Sequence, residues 1–296
     1  MSNKRLTIKR IVIYCVIAYL PLCIMAPVLN SLYGEMIFVS EKATAAVYLS
    51  GAFGMFAPAI ANILTRLITK EGFKNSYLGL HLDGNMKYYL ASMFIIPLGM
   101  VLTVFLIYVT MFRQVPFGEF FSGEDMGQKI ALVVLQFAYS VIVFFPAFGE
   151  EFGWRGYLGP KLNEIMSKPA AIVVGGIIWG LWHAPLTISG HNFGVDYPLY
   201  PWLGMFYMCV FCTLMNAFLT LLTERTKSIY PASFCHMINN NLSFGVLISI
   251  FASEKAVELL SETSQMTMFV MMLPMMAIIG GISFVLWMKK RGKLRM

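Results

Sequence analysis

The chain has 296 residues, of which 58% are hydrophobic and 12% charged, with a net charge of +7 and a mean hydropathy of +0.71. A soluble domain carries about 25% charged residues, so a soluble globular domain is excluded and an integral membrane protein is indicated. The positive charge does not mark a nucleic-acid binder, because the basic residues flank apolar runs as topology signals do. No nucleic-acid partner is expected.

The apolar runs are continuous and near twenty residues, without the alternation of a membrane barrel, so they predict helices. In chain order eight spans are predicted, at 11–29, 44–64, 88–112, 130–150, 169–188, 201–223, 230–251 and 266–288. The expected fold class is all-α, a polytopic membrane helix bundle of about eight transmembrane helices in a single domain, 1–296. Only four of the 22 Lys and Arg residues, Lys42, Arg113, Lys129 and Lys255, fall on one side of this alternation. The excess on the other side places both termini in the cytoplasm. The five cysteines, Cys15, Cys23, Cys209, Cys212 and Cys235, lie inside apolar runs and make no disulfide framework.

Three polar places interrupt the later spans. The first is Glu150-Glu151-Phe-Gly-Trp154-Arg155. A charge at the bilayer centre costs about 2.5–3.5 kcal/mol on insertion scales, so three charges at a span end call for a use. Glu151 and Arg155 are four apart and share a helical face, while Glu150 points about 100° away. One carboxylate is then neutralised by its arginine and the other is free to react. Read alone, the motif is equally an ion pair that ends a helix. The second place is Trp179-Gly-Leu-Trp-His183, with Gly176 and Gly180 four apart, where a neighbouring helix can approach closely. The third is His236-Met-Ile-Asn239-Asn240-Asn241, in which His236 and Asn240 lie one turn apart and can both donate to one oxygen. Read alone, the second is more readily a histidine hydrogen-bonded between helices than a reactive one, and the third is equally hydrogen-bonding glue between helices.

No intramembrane aspartate pair, GxSxG elbow or HExxH zinc signature is present. The order EExxxR, then [FW]xxxH, then HxxxN resembles the CAAX protease and bacteriocin-processing (CPBP, or Abi) family of intramembrane proteases, related to the type II CAAX prenyl endopeptidases. The matching residues are Glu150, Glu151, Arg155, Trp179, His183, His236 and Asn240, and the likeness spans a four-helix core at 130–251. Trp179 stands where the family usually has Phe.

Peptide hydrolysis needs a deprotonated water and a stabilised oxyanion. Glu150 is the expected general base, His183 holds the water, and His236 with Asn240 stabilises the oxyanion; Glu151, Arg155 and Trp179 support them. The resemblance implies the same roles without a required metal. The family's description as metalloproteases makes zinc on Glu150, His183 and His236 the alternative. The substrate class is a membrane-associated peptide, prenylated or leader-bearing, met in a lipid membrane that is expected to be a bacterial inner membrane. A proton-coupled transporter and a non-enzymatic scaffold or immunity protein are the rival readings. Convergence of the three places requires residues 155–168 to be re-entrant or amphipathic, or span 5 to tilt strongly.

Overall fold

The computed structural model describes residues 2–34, 36–38, 51–112, 126–241, 253, 258 and 262–292. Every regular element among the described residues is a helix. In chain order these are α1 (Ser2–Tyr33), α2 (Ala57–Ile68), α3 (Met86–Ile107), α4 (Met126–Gly153), α5 (Gly159–Ile165), α6 (Lys168–Trp182), α7 (Ala184–Ile188), α8 (Trp202–Thr226), α9 (Tyr230–Asn241) and α10 (Gln265–Gly292). A π-helical turn succeeds α3 (Tyr108–Phe112), and another, Trp154–Leu158, joins α4 to α5.

Six stretches among the described residues are long and apolar enough to cross a membrane: Asn3–Tyr33, Gly51–Ile68, Met86–Thr110, Gly127–Ile165, Trp202–Thr226 and Gln265–Leu286. The chain is therefore a polytopic helical membrane bundle, with six such stretches where eight spans are expected. Residues 44–50 and 242–251, parts of the second and seventh predicted spans, lie outside the described residues. The fifth predicted span, 169–188, is divided: α6 ends at Trp182 and α7 begins at Ala184. Pro185 lacks an N–H and its ring crowds the carbonyl four residues back, which breaks the helical ladder beside His183.

The largest departure is in the fourth span. Its predicted end is residue 150, yet the helix runs on through the π turn to Ile165, a stretch of 39 residues. At 1.5 Å per residue this is about 58 Å, nearly twice the hydrocarbon thickness of a bilayer. The far end carries Lys161 and Glu164, which join a charged rim. Lys161 Nζ lies 3.0 Å from Glu71 and 2.9 Å from Glu164, and Arg10 lies 3.2 Å from Glu71. Glu150 precedes Lys161 by roughly 16 Å of helix. Of the alternatives for 155–168, the segment continues as helix with Leu162 buried and Glu164 exposed, an amphipathic arrangement that keeps the rim charges at the surface and sets Glu150 well below them.

Glycines set the helix spacing around this segment. A Cβ on Gly153 would lie 2.3 Å from Pro58 Cβ and 2.5 Å from its carbonyl carbon, so α2 and α4 touch backbone to backbone. Gly176 and Gly180 do the same for α6 and α8, where an added Cβ would meet Thr213 Cα at 2.3 Å and Cys209 Cα at 2.5 Å. The close approach predicted for Gly176 and Gly180 is present. Gly153→Ala is expected to cost about 1–3 kcal/mol through overpacking, read as a lower melting temperature in detergent.

Candidate active site

The site starts from the π turn at the end of α4. Each glutamate is held by the residue four positions on: Trp154 Nε1 donates to Glu150 Oε2 at 3.2 Å, and Arg155 Nη1 donates to Glu151 Oε1 at 2.8 Å. The two carboxylates therefore have different partners from the outset. The predicted Glu151–Arg155 pair is formed.

From α6, Trp179 Nε1 donates to the same Glu150 Oε2 at 2.8 Å. Its ring lies 4.2 Å from the Arg155 guanidinium carbon, within cation–π range. Its backbone carbonyl is 2.9 Å from His183 Nδ1. From α9, His236 Nδ1 reaches Glu151 Oε1 at 2.8 Å, and its ring lies 5.4 Å from that of Trp179. His236 Nε2 stops 3.9 Å from Glu150 Oε1. The three polar places of the sequence thus meet around Trp179.

Donor and acceptor chemistry assigns the protons. An indole N–H only donates and a carbonyl only accepts. Glu150 Oε2, facing two indoles, therefore carries no proton, and any proton taken by Glu150 goes to Oε1. His183 carries its proton on Nδ1, which leaves the Nε2 lone pair free. His236 likewise donates from Nδ1 to Glu151. Glu150, Glu151, Arg155 and His236 are each at most 4% exposed. Buried charge is tolerated when it is paired, and Glu151 is paired twice.

Asn240 is not drawn into this network. It sits on the exposed side of α9, where its Oδ1 accepts from Asn239 Nδ2 at 3.2 Å. Asn241 is structural: its Nδ2 donates to Gln136 O at 2.7 Å and to Ser140 Oγ, and Gln136 Nε2 returns a bond to its Oδ1 at 3.0 Å. Sequence reasoning assigns nothing to Trp154, although its i,i+4 spacing from Glu150 repeats that of Arg155 from Glu151. It also misses the Glu151–His236 bond, which no local pattern encodes. The backing from α1 is equally invisible in the sequence. Tyr14 packs on Trp154 and Tyr157 at ring distances of 5.7 and 5.3 Å, and Trp182 Nε1 donates to Ala18 O at 2.9 Å.

The donor set decides how well zinc would fit. Both histidines anchor Nδ1 and present Nε2, as zinc-ligating histidines do. Yet among the described residues no three His, Cys, Asp or Glu side chains come together closely enough to hold an ion. Glu150, His183 and His236 do not form such a cluster among the described residues.

The chain is thus a polytopic helical membrane bundle with a carboxylate–histidine cluster buried between its helices. Residues 110–242 match the family model described as Rce1-like, type II CAAX prenyl endopeptidase. CAAX prenyl protease 2 of Methanococcus maripaludis is 26% identical over 193 residues, which cover 63% of this chain and 68% of that protein. Both findings support a protease of the CAAX, or CPBP, type, in line with the resemblance carried by the motifs.

Proposed function

We propose that this chain is an intramembrane endopeptidase that hydrolyses a peptide bond in a membrane-associated peptide, a prenylated C-terminal tail or a leader, without a bound metal. The observation that carries this reading is the division of labour between the carboxylates. Glu151 is held by Arg155 and His236, while Glu150 is pinned through Oε2 and turns Oε1 toward His236 Nε2 across 3.9 Å. That gap is too long for a direct hydrogen bond and within reach of one bridging water.

In the proposed reaction Glu150 Oε1 removes a proton from this water. The Nε2 lone pair of His183 accepts the water's second hydrogen and orients it. The oxygen adds to the scissile carbonyl, and the oxyanion is stabilised by His236, carrying a proton on Nε2, and by Asn240 Nδ2. Glu150 then passes its proton to the leaving amine, so the base is restored when the tetrahedral intermediate collapses. Asn240 joins when substrate fills the open side of α9. Residues 130–251 would form the catalytic core of a single membrane domain with both termini in the cytoplasm, in a bacterial inner membrane. Bilayer lipid and the peptide substrate would be its partners, and nucleic acid would not.

Purified protein in detergent or vesicles, given a quenched prenylated peptide and a quenched leader peptide, tests the reading. Cleavage of one of them at an undiminished rate after exhaustive chelation is the expected result. Loss of activity on chelation, restored by zinc, would replace the metal-free mechanism. Failure to cleave any peptide, with proton-dependent solute uptake instead, would favour a transporter.

A further inference from the structure

Resting on the reading that Glu150 is the base, we propose that Asn62 and Arg66 of α2 are positioning residues for the reaction, which act by holding the π turn that carries the glutamates' partners. Arg66 is 6% exposed and Asn62 fully buried, in a helix of otherwise apolar character. A buried guanidinium is costly unless its donors are satisfied. Arg66 spends them on neutral oxygens: Nε on Asn62 Oδ1 at 2.6 Å, Nη1 on Gly72 O at 2.8 Å and Nη2 on Gly156 O at 3.2 Å. Because Arg66 occupies the amide oxygen of Asn62, the amide nitrogen is turned to α4, where it donates to Phe152 O at 2.8 Å.

The two carbonyls gripped from α2 belong to Phe152, next to Glu151, and Gly156, next to Arg155. They bracket Trp154 and Arg155, the residues that hold Glu150 and Glu151. The π turn departs from α geometry and leaves backbone carbonyls without their usual partners in the helical ladder, so it needs donors from outside α4 to keep its place. A shift of the turn's backbone on losing these donors would move the Trp154 indole relative to Glu150. The backbone contact of α2 at Gly153 brings the clamp within reach. Asn62 and Arg66 touch none of the reacting atoms, so their influence runs through Trp154 and Arg155 to the placement of Glu150 Oε1.

The test is steady-state cleavage of the same quenched peptide by purified variants. Asn62→Asp keeps the acceptor for Arg66 and loses the donor to Phe152 O. It is expected to lower kcat by about 10²-fold, the scale of a 1 Å misplacement, with KM little changed and the melting temperature in detergent retained. Asn62→Ala should lower kcat similarly without introducing a charge. Arg66→Lys, which keeps donors, should retain more turnover than Arg66→Met. Unchanged kcat in Asn62→Asp and Asn62→Ala, beside an inactive Glu150→Gln control, would overturn the clamp alone. A loss confined to KM would do the same. An active Glu150→Gln control would overturn the reading on which the clamp rests.

Discussion

Glutamine in place of Glu150 is expected to slow peptide hydrolysis by about 10²–10⁴-fold, the usual worth of a positioned base, while the protein stays folded. The reason lies in the two indoles. Trp154 and Trp179 both donate to Oε2, so a glutamine must present its carbonyl oxygen to them. Its NH₂ group then faces His236, in the place of the free oxygen. The substitution preserves both tryptophan bonds and removes only the proton acceptor. Turnover measured beside the detergent melting temperature checks both halves. A glutamine variant that cleaves at the original rate would take Glu150 out of the mechanism.

Arg155→Met is expected to act in the opposite way, on the fold before the chemistry. Arg155 and Glu151 have side chains 2% and 0% exposed and pair at 2.8 Å. Removing one partner of a buried pair typically costs about 3–5 kcal/mol, because the other charge is left in a medium that cannot solvate it. The stacking of the guanidinium on Trp179 is lost as well. Chemical or thermal unfolding in detergent should therefore show a large destabilisation. Arg155→Met combined with Glu151→Gln should be less destabilised than Arg155→Met alone, since no ionised carboxylate is then stranded. Equal stability of Arg155→Met and the parent protein would mean that Glu151 does not depend on this arginine for its burial.

The contrast between these substitutions shows how unevenly the site is written in the chain. The Glu151–Arg155 pair is legible because four-residue spacing on a helix is local, and the close packing at Gly176 and Gly180 is legible for the same reason. The His183 break is explained by Pro185 two residues on, although the apolar run conceals it. The bond from His236 to Glu151 spans 85 positions, and Trp179 reaches Glu150 across 29. No periodicity reports such contacts. The N-terminal helices carry no motif, yet Tyr14 packs on Trp154 and Asn62 grips the backbone beside Glu151.

By itself the sequence determined the solvent this protein lives in, its helical class and the three polar places that break its spans. Those come from composition, run length and local spacing, and need no knowledge of which helix meets which. Only the tertiary structure decided that His236 joins Arg155 on Glu151, that Trp179 donates to Glu150, and that the fourth helix runs on past Glu150 to the charged rim. The physical reason is that buried charge is stabilised by whatever donors packing brings within about 3 Å, and packing of long helices is fixed by contacts between residues far apart in the chain.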